Sequence, residues 1–364
     1  MTPDRRPERL AALRGRLGEL GVAALVVAHP ANIRYLTGFS GSSGLALVGT
    51  DTVVLVTDFR YETQVAEEAA DVAQVEVAQS GLVEALLAHL ARTGARGPVG
   101  FEDHIFTVRE GARLTGGGAE GRFRPAPDLV ERLRAVKAPE EVAAIREAGR
   151  VAGAALASAI AEIRVGLSEL DVAALLEAAL RRAGSEAHPF PTIVASGPRT
   201  ALPHARTSAR RVGAGEWLLL DFGAQVAGYC ADVTRTFVVG APPDVRQREV
   251  YGVVREAQAA ALAGLRSGLT GRAGDALARE RIDAAGFGAA FGHSLGHGLG
   301  LEVHEAPRLS KASEEPLPAG AVVTVEPGVY LPGWGGVRIE DDVALGEEGA
   351  TLLTDSPREL VVLG

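Results

Sequence analysis

Asp221 and Asp232 stand where a folded chain does not leave charge unattended. The run Trp217-Leu-Leu-Leu220 reads as a strand buried on both faces, and Asp221 ends it. An unpaired carboxylate there is expensive, so Asp221 needs a cation. After Gly228 the chain returns as Asp232-Val-Thr234-Arg-Thr236-Phe237, alternating with period two, which puts Asp232, Thr234 and Thr236 on one face. Two carboxylates brought together by a hairpin repel unless a proton or a metal lies between them. Read alone, the stretch is also compatible with a surface hairpin carrying two solvated acids.

A second pair of acids follows the same plan. Glu326 ends the apolar run Ala321-Val-Val-Thr-Val325, and Glu340 lies on the returning segment Gly336-Val-Arg338-Ile-Glu340, where Arg338 and Glu340 share a strand face. Between the two hairpins lie His293, His297 and His304, with glycine on both sides of His297, which suggests backbone lying close to a ligand. Four carboxylates and one imidazole are too many acids for one closed zinc site. They suit two oxygen-preferring divalent ions such as manganese(II), with cobalt(II) or zinc as other occupants. Two ions ~3.5–4 Å apart activate water and polarise a carbonyl, which is hydrolytic chemistry.

The elements that must position these groups repeat. Gly166-Leu-Ser168 followed by Gly184 recurs as Gly268-Leu-Thr270 followed by Gly286, and Ala214-Gly215 precedes Asp221 as Ala319-Gly320 precedes Glu326. Helical patterns lie between the glycines, one of them opened by the capping box Ser168-Glu-Leu-Asp171. A period this long is not that of a solenoid, whose repeats run ~20–50 residues. It predicts two similar α/β halves facing each other. Ahead of them, leucines at 10, 13, 17 and 20 mark an amphipathic helix, and strand and helix patterns then alternate to about residue 102, which predicts a small mixed-sheet domain. The run Gly116-Gly-Gly118 and Pro125-Ala-Pro127 suggest a boundary near 128, with domains at 1–128 and 129–364. Pro139-Glu-Glu141 then opens a long helix.

Composition narrows the function. The chain has 364 residues, 47% hydrophobic and 23% charged, with a formal charge of -9, which argues against nucleic acid as a partner. Cys230 is the one cysteine, so no intramolecular disulfide or cysteine-rich zinc site forms, as in a reducing compartment. The charged stretch Met1-Thr-Pro-Asp-Arg-Arg lacks the apolar core of a signal peptide, and charges, glycine or proline interrupt every apolar run before it reaches membrane-spanning length. The expectation is a cytoplasmic protein with no membrane partner.

Asp221, Asp232, His297, Glu326 and Glu340 resemble, in order and context, the five metal ligands of the pita-bread metallopeptidases, which include methionine aminopeptidase, aminopeptidase P, prolidase and the non-metal relative creatinase. His293-Ser-Leu-Gly-His297-Gly, Val325-Glu326-Pro-Gly and Arg338-Ile-Glu340-Asp-Asp carry the likeness, and Asn32-Ile-Arg-Tyr-Leu-Thr-Gly38 resembles a segment of the creatinase-type N-terminal domain. The resemblance implies an α/β fold, with a small mixed-sheet N-terminal domain followed by a duplicated pita-bread catalytic domain. It also implies two bound divalent ions, a homodimer and proline-containing peptides as substrates. It places His204, His293 and His304 on the substrate side: His293 and His304 at the scissile carbonyl oxygen or the proline pocket, His204 steadying the substrate and the developing charge. Glu326 becomes the proton carrier, and Arg338 holds the ligating carboxylates ionised. Tyr229 and Tyr330 are candidates to line the site. The implied reaction cuts the bond between an N-terminal residue and proline, whose tertiary amide offers no N–H. This reading leans to an aminopeptidase P-like enzyme. The alternative is an Xaa-Pro dipeptidase, in which Arg308 would hold the free proline carboxylate; a further alternative is a non-catalytic peptide-binding protein on the same fold.

Overall fold

The computed structural model describes residues 4–94, 97–116 and 122–364. The chain divides into two compact units, Met1–Arg134 and Ala135–Gly364.

The first unit runs α1 (Arg6–Leu20), β1 (Ala24–Val27), α2 (Pro30–Thr37), β2 (Gly44–Gly49), β3 (Val53–Asp58), α3 (Glu62–Glu68), β4 (Gln74–Ala78), α4 (Leu82–Arg92), β5 (Val99–Phe101), α5 (Val108–Thr115), β6 (Phe123–Pro125) and α6 (Glu131–Arg134). Its strands form one mixed sheet ordered β4-β3-β2-β1-β5-β6. β2 runs antiparallel to both its neighbours, while β1–β5, β5–β6 and β3–β4 pair in parallel. The leucine stripe of α1 buries Leu10, Leu13 and Leu17. Helix α2 was not legible as a helix: its core is Asn32 to Thr37, opened by Pro30 and closed by Gly38 in the left-handed region at φ 87°. Asn32 is buried, donating to Glu102 Oε1 at 2.6 Å and accepting from Arg134 Nη1 at 2.6 Å. Of the glycine run expected to mark a boundary, Gly117 and Gly118 lie outside the described residues.

The second unit opens with α7 (Pro139–Ile160), α8 (Glu169–Ala183), β7 (Ile193–Ser196), β8 (Glu216–Val226) and β9 (Tyr229–Val239). It continues with α9 (Val245–Gly264), α10 (Gly271–Ala284), β10 (Gly296–Gly298), β11 (Glu305–Leu309), β12 (Val322–Val325), β13 (Gly328–Leu331), β14 (Gly335–Arg338), β15 (Asp341–Leu345), β16 (Ala350–Leu352) and β17 (Val362–Leu363). Each half is a helix pair on a sheet, antiparallel throughout in the second half and, in the first, antiparallel over β7, β8 and β9 with β17 added in parallel to β9. In the first, α7 and α8 pack on β8 and β9 through Val151, Leu156, Leu176, Leu180, Leu218, Leu220, Phe222 and Val233. In the second, α9 and α10 cover β12 to β15 through Val250, Val254, Ile282, Val323, Val325 and Val343. The repeated glycines share a geometric cause. Gly166, Gly184, Gly268 and Gly286 all have positive φ, as do Gly215 and Gly320, so each repeat needs the same left-handed turns. The predicted capping box opens α8: Ser168 Oγ accepts from Asp171 N at 3.1 Å, and Asp171 Oδ2 accepts from Ser168 N at 2.8 Å.

The halves differ where the acids sit. β8 and β9 are continuous eleven-residue strands, in register from Glu216↔Val239 to Val226↔Tyr229. The second hairpin is broken: β12 pairs with β15, while β13 and β14 turn aside as a separate two-stranded sheet. Glu326-Pro327 and Ile339-Glu340 occupy the two breaks, so Arg338 ends β14 and Glu340 lies in the link beyond it rather than on one continuous strand face. Pro327 supplies a reason, because it has no N–H for the ladder.

Candidate metal centre

β8 carries Asp221 on the face opposite to Leu218, Leu220 and Phe222, and β9 presents Asp232, Thr234 and Thr236 toward the β14–β15 link, so acids from both halves meet. A cleft of about 630 Å³ is lined by His204, Asp221, Asp232, His293, His297, His304, Arg308, Glu326, Arg338 and Glu340. Tyr229 and Tyr330 do not line it. Tyr229 directs its hydroxyl to Glu141 Oε1 of α7 at 2.7 Å, and Tyr330 lies buried behind the cleft wall.

Asp232, His297 and Glu340 are buried, and one ligand atom from each lies within 4.8 Å of the others. His297 Nε2 is 3.3 Å from Glu326 Oε1 and 3.9 Å from Asp232 Oδ2. These are not ion pairs, because burial pushes His297 down to about 4 and leaves the ring neutral near pH 7. Its Nδ1 faces the Gly298 carbonyl at 3.0 Å, so Nδ1–H donates there and the Nε2 lone pair points at the acids, the usual arrangement of a metal-binding histidine. Asp232 Oδ1 is buried and has no hydrogen-bond partner among the described residues. Burial, reinforced by neighbouring carboxylates, drives Asp232 and Glu340 well above the ordinary carboxylate range, and Glu326, despite Arg338 nearby, up to about 7. A buried acid cluster with an unsatisfied oxygen and a neutral imidazole lone pair fits a divalent cation.

Arg338 orders the acids from behind. Its Nη2 donates to Asp221 Oδ2 at 2.5 Å, Nε to Thr234 Oγ1 at 3.0 Å, and Nη1 to the Tyr330 hydroxyl at 2.8 Å. Thr234 Oγ1 in turn donates to Glu340 Oε2 at 2.5 Å. With Arg338 donating to it, the Tyr330 hydroxyl donates to His293 Nε2 at 2.9 Å, and His293 Nδ1 faces the Ser294 carbonyl at 2.8 Å. Both ring nitrogens of His293 are therefore engaged. The rings of His204 and His304 have no hydrogen-bond partner among the described residues.

Two buried pairs escaped the sequence reading. Arg235 donates to the Glu340 carbonyl at 2.6 Å and to Asp341 Oδ1 at 2.7 Å, and so fixes the link that carries Glu340. Nothing in Thr234-Arg-Thr236 signals this, since an arginine between threonines reads as a solvated strand residue. Asp275 and Arg279 on α10 pair at 2.6 Å and anchor the backbone of Phe291, His293 and Leu295. Their i,i+4 spacing was a readable signal. The glycines flanking His297 also have a different cause from the one expected. A Cβ at Gly296 would come within 2.0 Å of the Thr324 carbonyl oxygen, and one at Gly298 within 2.1 Å of the Ala306 carbonyl oxygen. The close approach that requires glycine here is to neighbouring strands.

These shifts set a pH dependence for the metal-free protein. An acid whose folded pKa lies above its unfolded value takes up protons on folding, so stability falls as pH rises from the unfolded to the folded value. For Glu326 that window runs from 4.5 to about 7. Unfolding midpoints in chelator should fall across it, and excess divalent cation should restore progressively more stability toward pH 7. A flat chelator profile would contradict the burial of these acids.

Residues 143–347 match metallopeptidase family M24, and residues 9–136 match the creatinase/prolidase N-terminal domain. The chain belongs to metallopeptidase family M24 and carries a creatinase-type N-terminal domain. It is 41% identical to the uncharacterized peptidase YqhT of Bacillus subtilis, over 98% of this chain and 100% of that one. Among solved structures it is similar to an Xaa-Pro dipeptidase from Bacillus anthracis, with 38% identity, TM-score 0.94, and 98% and 100% of the two chains covered. An X-Pro aminopeptidase from Thermotoga maritima follows at 37% identity and TM-score 0.90, with 97% and 99% covered. The expectations of a metal-dependent hydrolase and of a pita-bread α/β fold behind a mixed-sheet domain are borne out. Among the described residues, no helix is long and apolar enough to cross a membrane.

Proposed function

We propose that this protein is an exopeptidase that hydrolyses the bond between an N-terminal residue and proline. The observation that carries the reading is the convergence in one cleft of acids from two hairpins, the His297 lone pair and two histidines, His204 and His304, whose rings have no hydrogen-bond partner among the described residues. The relatives called Xaa-Pro dipeptidase and X-Pro aminopeptidase support the substrate class.

Asp221, Asp232, His297, Glu326 and Glu340 would hold two divalent ions, whose charge the four carboxylates match. Manganese(II) suits the oxygen-rich set, with cobalt(II) or zinc as other occupants. The ions supply an activated water and polarisation of the scissile carbonyl. Glu326 takes the proton of the water at its carboxylate and returns it to the departing proline nitrogen. His304 and His204 present free ring nitrogens to the carbonyl side. His293, held by Tyr330, offers its ring as a wall of the proline pocket. Arg338 keeps Asp221 oriented. In this reading the first unit is the creatinase-type domain and the second the catalytic one, and the protein works as a cytoplasmic homodimer.

Arg308 bears on peptide length. It sits on β11 directly opposite His297 on β10, lines the cleft and has no acidic partner among the described residues. A free guanidinium beside the metal centre suits the carboxylate of a dipeptide and favours the Xaa-Pro dipeptidase over the aminopeptidase P-like reading. Hydrolysis of Ala-Pro and Ala-Pro-Ala by wild type and by Arg308→Met tests this. Losing a charge-assisted bond of about 1.5–3 kcal/mol should cut kcat/KM on the dipeptide roughly ten- to a hundredfold, mostly through KM, and spare the tripeptide. Efficient cleavage of the tripeptide, with the dipeptide unaffected by the substitution, would restore the aminopeptidase P-like reading.

A further inference from the structure

His204 lies on the segment that joins β7 to β8. Its ring has no hydrogen-bond partner among the described residues, so its place in the cleft is set by the backbone around it. That backbone is closed on itself by one acid from another element. Glu169, the first residue of α8, is fully buried. Its Oε1 accepts from the Ser196 amide and hydroxyl, both at 2.9 Å, and its Oε2 accepts from the Ser208 amide at 3.0 Å and hydroxyl at 2.6 Å. Ser196 ends β7 and Ser208 lies four residues beyond His204, so the bonds close the stretch 196–208 on itself. Arg199 extends the staple inward: its Nε lies 3.2 and 3.3 Å from the two Glu169 oxygens, its Nη2 donates to the Arg206 carbonyl, and its own carbonyl accepts from Leu202 N at 3.0 Å. The bonded residues Leu202 and Arg206 flank His204 on either side.

We propose that Glu169 is a positioning residue for His204, holding the 196–208 segment closed so that the imidazole faces the substrate. The inference rests on the substrate-side role of His204 given above. Only a carboxylate accepts on both oxygens, so an amide in its place turns a donor toward one of the serines and opens one end of the loop. A displacement of about 1 Å in a substrate-positioning group costs up to roughly a hundredfold in rate.

A double-mutant cycle separates positioning from general bracing, since residues that act through one another are not additive. The readout is kcat/KM on Ala-Pro together with bound metal per chain, for wild type, Glu169→Gln, His204→Ala and the double variant. Glu169→Gln should lose roughly ten- to a hundredfold with metal content unchanged, and should cost less than about twofold more once His204 is already alanine. The same full loss in both backgrounds, or wild-type kcat/KM in Glu169→Gln, overturns the proposal. If His204→Ala matches wild type while Ala-Pro is still cleaved, the role of His204 fails and the clasp with it, whereas the peptidase reading stands. Should Glu169→Gln not fold, Arg199→Met, which keeps all four serine bonds and removes the link to Arg206, takes its place in the cycle under the same outcomes.

Discussion

Asp232→Asn should abolish metal binding and peptidase activity together and leave the chain folded. Asp232 is the acid at which the cluster closes: it lies beside His297 and Glu340, and one of its oxygens has no hydrogen-bond partner among the described residues. An asparagine of the same shape keeps the backbone bond to Asp342 Oδ2, at 3.0 Å, but presents no charge to an ion. The ion contributes several kcal/mol of transition-state stabilisation, so kcat/KM should fall by at least roughly 10³-fold. The same change relieves repulsion in the metal-free protein. Burial already drives Asp232 toward its protonated form, so at pH 7 in chelator the variant should be at least as stable as the wild type. Equilibrium dialysis with manganese and a chelator melt, run side by side, check both halves. Full metal occupancy in the variant would remove Asp232 from the centre.

Arg338→Met carries the second large effect, and it acts through the protein rather than through the ion. The guanidinium is buried and bonds Asp221, Thr234 and the Tyr330 hydroxyl at once. In the metal-free protein, removing it leaves Asp221 as an uncompensated buried charge and takes from the Tyr330 hydroxyl the donor it accepts from, while the bond from Tyr330 to His293 remains. Breaking a buried pair in this way costs about 3–5 kcal/mol, which for a domain of this size lowers the unfolding midpoint on the order of 10 °C. Groups that orient ligands change metal affinity or activity roughly ten- to a hundredfold, and Arg338→Met should fall in that range when assayed below its melting temperature. Arg338→Lys keeps the charge but not the planar fork, so it should recover part of the stability and little of the orientation. A neutral effect on both would show that Asp221 does not need this partner.

The acids were legible because a carboxylate at the end of a buried run has few bland explanations, and because the second pair repeats the first. The duplication was legible because the turns that frame each half require glycine, and glycine at fixed spacing survives in the sequence. What the sequence did not show depends on contacts between distant segments. The break of the second hairpin at Glu326-Pro327 and Ile339-Glu340 follows from where β13 and β14 turn aside, and a continuous strand face was the simpler reading. The glycines around His297 could not reveal whether a ligand or a neighbouring strand crowds them. Arg235 reads as a solvated strand residue, yet it meets Asp341 more than a hundred positions away. Tyr229, beside the first hairpin turn, points to Glu141 and not to the cleft.

Metal-dependent cleavage ahead of proline is the activity to which the whole site is matched. Its most direct test is the rate of release of free alanine from Ala-Pro, with Ala-Ala as control, by protein stripped with chelator and then supplied with manganese. The stripped protein should release no alanine, manganese should restore the release, and Ala-Ala should be cut little. Failure to cut Ala-Pro with manganese, cobalt or zinc, or equal cutting of Ala-Ala, would contradict the peptidase reading.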